Sequence, residues 1–359
     1  MIREALEIRN LPDVFQFNGG GKVTSREAWE KRRIEIKQLL CREEYGGFPE
    51  KHIPIEAETV SEDQNYCGGT AVLKNIRCTL NFGEKTFPLP ITLALPKREA
   101  ACPAFLYLDF NREFPNKYLP VEEICDQGFA VASLYYQSVT SDDGDLSNGL
   151  SGLYNQEGRK QYGKLALWSW AAMHVMDYLQ TVAEIDKSHI AIAGHSRLGK
   201  TALLTGAFDE RFQYTVSNNS GQGGAAISRG KKGEKIEDIF RRFPYWFSDS
   251  YGKYSGKEET LPFDQHYLLS LIAPRNLYVS SADGDAWADP ESEFLSCAAA
   301  SPAYRFYHLT GLDAPGAFPA PGTSFHNGSI GYHLRKGTHY LSRYDWNQFM
   351  AYIRKCMQK

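Results

Sequence analysis

The second half of the chain holds three residue types that can together carry out nucleophilic acyl chemistry, in a fixed order. Ser196 sits in the glycine-bounded run Gly194-His-Ser-Arg-Leu-Gly-Lys-Thr201; three acids, Asp283, Asp285 and Asp289, share a later loop; three histidines, His326, His333 and His339, follow near the C-terminus. A neutral serine hydroxyl is a weak nucleophile, so a histidine must take its proton, and a buried carboxylate must hold the imidazole in the correct tautomer. The same run also satisfies GxxxxGK[ST], with Lys200 placed for phosphates and Thr201 for a metal. A third reading is a serine in a Gly-rich turn with no chemistry attached.

The surrounding elements discriminate among these readings. A phosphate loop normally follows the first strand of its domain and needs an apolar second strand ending in Asp to hold magnesium. Here several strands precede the turn, and the best second strand ends Ser280-Ser281-Ala282-Asp283, polar where it should be apolar. A nucleophile elbow instead requires the order serine, acid, histidine, which is the order present. The usual elbow is GxSxG; here Leu198 takes the place of the second glycine and Gly199 follows one residue later.

The positioning elements alternate. A helix is predicted over 24–44, an antiparallel pair over 70–96 around Gly83-Glu84, and buried strands at 104–110 and 129–136 with a short helix between them. A polar loop over 137–161 leads to a long helix over 162–185, then to the Ile190 strand and the helix after Ser196. Further strands are expected at 212–216, 276–282 and 304–309, then a loop over 311–340. A last helix at 343–356 is capped by Ser342 and Asp345. Continuous apolar strands between helices predict an α/β chain with a mostly parallel sheet covered on both faces. We expect one domain over 1–359, with a helical and hairpin extension over 1–100 and an irregular insertion around 221–268.

Composition narrows the function class. With 359 residues, 42% hydrophobic, 23% charged and a formal net charge of -3, the chain has no basic footing for nucleic acid or an anionic membrane. No stretch reads as a signal peptide or a membrane span. The seven cysteines lack CxxC spacing and read as reduced thiols of a cytoplasmic protein, with no metal site and no cofactor.

Six separated motifs then resemble one family: GHSRLGK (194–200), NSGQGGAAISR (219–229), FPYWF (243–247), FDQHYLLSLIAPR (263–275), DGDAWADP (283–290) and GYHLRKGTH (331–339). In that order they resemble the bacterial branch of the glucuronoyl esterases, the fifteenth carbohydrate esterase family, over about residues 100–355; the shifted glycine is normal there. The resemblance implies an α/β-hydrolase fold, a three-layer α/β/α sandwich, and cleavage of 4-O-methyl-glucuronoyl esters, with small carbohydrate esters as partners. Acetyl ester hydrolysis, as in acetylxylan esterases, is the alternative, and a phosphate-loop NTPase or a non-catalytic sugar-binding protein stands further off. Carried over by position, Ser196 is the nucleophile, His339 the base, Arg197 an oxyanion-hole residue, and Lys200 and Trp287 line the sugar site. Fungal members carry their acid as Glu where this chain has Asn219, so the acid is expected at Asp285, ahead of Asp283, in the loop where this fold usually places it. A Glu that fungal members use on the sugar falls near Phe243.

Overall fold

The computed structural model describes residues 1–49, 53–155 and 160–358; residues 156–159 of the expected polar loop lie outside them. The chain begins with α1 (Ile2–Arg9) and α2 (Arg26–Leu40). Ser25 caps α2 by accepting the Ala28 N–H at 3.1 Å, and the helix buries Trp29, Ile36, Leu39 and Leu40. Three long strands follow, β1 (Ile55–Tyr66), β2 (Ala71–Phe82) and β3 (Lys85–Pro96), joined antiparallel. β1 escaped the sequence reading because it is an exposed edge strand, rich in Glu and polar residues, with no buried alternating face.

The parallel part is then laid down: β4 (Cys102–Asp109), α3 (Val121–Asp126), β5 (Ala130–Tyr135), α4 (Gly149–Tyr154), α5 (Lys164–Leu179), β6 (Ile185–His195), α6 (Arg197–Phe208) and β7 (Tyr214–Asn218). α7 (Ile236–Arg242), short 3-10 turns and α8 (His266–Ser270) occupy the stretch read as irregular. They lead to β8 (Asn276–Ala282), α9 (Pro290–Ala300), β9 (Thr323–Phe325), β10 (Ile330–Arg335) and α10 (Arg343–Met357). The sheet runs β1-β2-β3-β5-β4-β6-β7-β8-β10-β9, parallel from β5 to β10 and antiparallel at both margins.

Alternation within the strands builds a core on each face. Leu106, Leu108, Ile190 and Ile192 point to the face covered by α2, α5, α6 and α9, while Phe105, Tyr107, Ala191 and Ala193 point to the face covered by α3 and α10. The result is the three-layer α/β/α sandwich with a mostly parallel central sheet expected for an α/β-hydrolase fold.

Two expectations near the C-terminus need correction. Residues 304–309 do not form a strand: Ser301–Tyr307 is a 3-10 helix, started by Pro302 in its first turn and anchored by the fully buried Tyr304. The strand beside β8 is instead β10, inside the segment read as a loop. It reads as polar because His333 and Arg335 are buried in it, and both bond Asp345 of α10, at 2.8 and 2.9 Å. The capping box predicted for α10 is present, with Ser342 and Asp345 bonded reciprocally.

The stretch around 221–268 is tied down through the π-helical turn Cys41–Tyr45 that extends α2. The Tyr45 hydroxyl donates to the Gly223 carbonyl, Ser248 N–H donates to the Glu44 carbonyl, and Gln265 Nε2 donates to Glu44 Oε1 at 2.8 Å. Glu44 is wholly buried, and burial, reinforced by the charge of Asp264, pushes its carboxyl up to about 8 despite hydrogen bonds from Gln265, Tyr251 and Tyr45. The native state therefore holds this proton after the unfolded chain has released it, so the group's contribution to stability is intact at low pH and falls as pH rises from the ordinary carboxylate range through about 8. Glu44→Gln mimics the protonated form. Its melting temperature relative to the parent should change little near pH 5 and rise by roughly 2–4 °C near pH 9 in thermal denaturation; an equal difference at both values would contradict the assignment.

Candidate active site

Ser196 lies between β6 and α6 with φ 56° and ψ -126°, a strained left-handed conformation that lifts its side chain out of the sheet. Gly194 makes the turn possible: a Cβ there would lie 2.0 Å from the Leu198 carbonyl oxygen. Ser196 N–H donates to the Asn218 carbonyl at 2.9 Å, and its own carbonyl accepts from Gly199 and Lys200 as the N-cap of α6. Leu198 does not disturb the turn, because it points into the core and is wholly buried. Gly199 lies against β7, where a Cβ would come within 3.1 Å of Ser217 Oγ and Ser220 Cβ, so the shifted glycine serves helix-to-strand packing.

The loops after successive parallel strands meet above this turn. His339 Nε2 is 2.8 Å from Ser196 Oγ, and its Nδ1 is 2.6 Å from Asp285 Oδ2. Asp285 follows β8 and is buried. The same Oδ2 accepts from Asn219 Nδ2 at 2.7 Å, while Oδ1 accepts the Ala288 N–H at 3.3 Å. Burial pushes the Asp285 carboxyl up, but the hydrogen bonds from His339 and Asn219 and the charge of His339 outweigh it and hold the group below the usual carboxylate range. An imidazole backed by a carboxylate that stays ionised thus faces the serine oxygen.

The His339 loop is held from both sides. Arg335 bonds Asp345 with Nε and reaches the carbonyls of Lys336, Thr338 and Tyr340 with its two other nitrogens. Asp283 accepts the Gly337 N–H at 2.9 Å and Gly284 N–H donates to the Gly337 carbonyl, which stitches the acid loop to the histidine loop. Asp283 is therefore a strut beside the site, and Asp289 caps α9. The other two histidines stand elsewhere: His333 is buried against Asp345, and His326 bonds the Tyr278 hydroxyl at 2.8 Å.

Beneath His339 lies His195, its ring centroid 4.7 Å away. Burial lowers its pKa to about 3, so it is neutral; Nδ1 lies 2.6 Å from Asn218 Oδ1, and Asn218 in turn donates to Ser280. It fills space under the site and carries no charge into it.

A cavity of about 330 Å³ opens over Ser196, lined among others by Arg197, Lys200, Glu234, Phe243, Trp246 and Trp287. Lys200 is buried, its Nζ donates to the Ser220 carbonyl, and burial depresses its pKa. Trp287 is 48% exposed at the mouth. Phe243 and Trp246, which also line the cavity, stack at 3.9 Å and 3°.

The sequence reading missed Glu234 and Asn219 as working parts. Asn219 was seen only as an absent carboxylate. Glu234 enters because Gly233, at φ 73°, brings the chain against the acid loop: a Cβ there would meet the Ala286 oxygen at 2.3 Å, and Glu234 N–H donates to the Trp287 carbonyl. No spacing rule signals such a contact; Phe243 and Trp246 lie in the motif FPYWF (243–247) but were not assigned to the site. Among the described residues no group of His, Cys, Asp and Glu could hold a metal ion.

Comparison with known proteins identifies the family. Residues 78–308 match the family model described as glucuronyl esterase, fungi. A carbohydrate esterase from an unknown prokaryotic organism is 34% identical over 95% of this chain and 88% of its own. A solved glucuronoyl esterase from Solibacter usitatus superposes with a TM-score of 0.87 at 34% identity, over 96% of this chain and 97% of that one. A mutant glucuronoyl esterase from Sporotrichum thermophile, in complex with methyl 4-O-methyl-beta-D-glucopyranuronate, gives 0.73 at 25% identity over 96% and 86%. With the fold, the motifs and these relatives in agreement, the chain belongs to the glucuronoyl esterases, carbohydrate esterase family 15.

Proposed function

We propose that this protein hydrolyses 4-O-methyl-glucuronoyl esters of small xylo-oligosaccharides or monosaccharides by a serine mechanism. The observation that carries the mechanism is the hydrogen-bonded line Ser196–His339–Asp285 beneath a cavity bearing a buried lysine, a glutamate and an exposed tryptophan. Ser196 Oγ attacks the ester carbonyl while His339 Nε2 takes its proton, and Asp285 balances the imidazolium at Nδ1. The oxyanion forms at the N-terminus of α6, where the N–H of Arg197 has no intrahelical acceptor and the helix dipole is positive; the Arg197 guanidinium adds charge. His339 then returns the proton to the departing alcohol, leaving a uronoyl ester on Ser196 that water cleaves by the same steps in reverse order.

Lys200 and Glu234 suit the sugar hydroxyls, one donating and one accepting, and Trp287 suits a sugar face. An acetylated sugar is the second reading, favoured by the generality of the Ser196 chemistry, but an acetyl group makes no use of the polar wall. The scattered cysteine positions, without CxxC spacing, suit a reducing, cytoplasmic setting. No described helix is long and apolar enough to cross a membrane.

Ser196→Ala should lower kcat/KM for methyl glucuronate on the order of 10³-fold or more with an unchanged melting temperature; activity within a few-fold of the parent rejects the mechanism. His339→Ala and Asp285→Asn should lose at least about 10²-fold, whereas His326→Ala and Asp283→Asn should stay within about 10-fold, since neither side chain touches the reacting atoms. A ranking with Asp283 above Asp285 would move the acid by two residues. On a panel of methyl glucuronate, acetylated xylose and a long-chain nitrophenyl ester, kcat/KM should fall in that order; a preference for the last overturns the substrate assignment.

A further inference from the structure

The loop after β5 ends in an arrangement that the reaction described above does not yet use. Lys164, the first residue of α5, is wholly buried and spends its ammonium on the carbonyls of Ser141 (2.8 Å) and Asp145 (2.7 Å). Asn148 closes the same loop through Ser141 and Asp145, and the Trp168 indole N–H holds the Thr140 carbonyl. What this scaffold presents is one carboxylate, Asp142, only 4% exposed. Its Oδ2 accepts from Arg197 Nη1 and from the Tyr136 hydroxyl, and its Oδ1 accepts from Trp246 Nε1 at 2.7 Å. Its backbone carbonyl accepts from the Tyr245 hydroxyl at 3.1 Å.

These contacts fix both groups that flank Ser196 on this wall. The Arg197 guanidinium lies over Trp246 at 4.7 Å, Phe243 at 5.4 Å and Phe110 at 5.7 Å, and Asp142 is the one carboxylate paired with it among the described residues. Aromatic faces tolerate rotation of a guanidinium in their plane, whereas a carboxylate bond sets its direction. We infer that Asp142 is a positioning residue: it aims the Arg197 guanidinium at the developing oxyanion and locks Trp246 as the adjoining wall. It therefore acts on the transition state without touching the substrate. The inference rests on Ser196 being the nucleophile.

Asp142→Asn keeps the shape and removes the charge, and one of its two oxygens becomes a donor facing donors. Against methyl glucuronate, kcat should fall roughly 10- to 100-fold, as expected for a misaimed catalytic group, while KM changes less than about 3-fold. In an Arg197→Ala background the same substitution should cost nothing further in kcat, because its effect on turnover passes through that guanidinium, while the bond to Trp246 shapes the wall and bears on KM alone. Additive losses in the double variant, or a kcat equal to the parent's, overturn the inference. Asp142→Glu guards against a variant that does not fold: it retains the charge, displaces it by one methylene, and should still lose about 10-fold in kcat; parental kcat from it also overturns the inference. A serine-directed phosphonate separates the two readings. Labelling of Ser196 in the parent with no kcat effect at Asp142 defeats this inference alone, and absence of labelling in the parent defeats the nucleophile on which it stands.

Discussion

Everything at the site depends on one backbone constraint, the bend at Ser196. A left-handed residue between a buried strand and a buried helix is costly, on the order of 1–3 kcal/mol, and persists only where the surroundings leave no alternative. Here the absence of a side chain at Gly194 admits the Leu198 carbonyl, Leu198 is locked into the core, and the Asn218 carbonyl takes the Ser196 N–H. The bend places the hydroxyl at the carboxyl ends of the parallel strands, where the loops after β7, β8 and β10 converge. Asp285, Asn219 and His339 reach it because each leaves the sheet at that same rim.

Much of this was legible in the sequence, for physical reasons that differ by element. The strands at 104–110 and 129–136 are apolar on both sides because both faces are covered, and a run of that kind announces a parallel sheet. The Gly-bounded turn and the ordered acids and histidines are local signals too, and the three residues that the structure joins were all among those named. What stayed hidden has a non-local cause. β1 lacks an apolar face because it has no neighbour beyond β2, and β10 looks polar because His333 and Arg335 find Asp345 only after α10 has docked. Glu234 and Asp142 reach the site through long-range loop contacts, with no periodicity to mark them.

The electrostatics of the site form a sequence of compensated burials. Asp285 is buried but surrounded by donors, Asp142 is buried against a guanidinium, an indole N–H and a phenol, and Lys200 is buried on a carbonyl. Each charge would be expensive alone. Together they give a polar wall whose groups are already desolvated and oriented before substrate arrives, which is the condition under which dipoles and charges act most strongly on a transition state.

The hydrogen bond between Asn219 and Asp285 bears on how such a site can change over generations. Two side chains, one from the rim after β7 and one from the rim after β8, meet at the oxygen that His339 uses. An acid side chain at position 219 would therefore stand beside the oxygen that the imidazole already engages. A lineage can gain a second carboxylate on one strand end and later lose the first, passing through ancestors in which histidine always has a partner. The working geometry belongs to the meeting point, and the residue number that supplies the charge is free to drift.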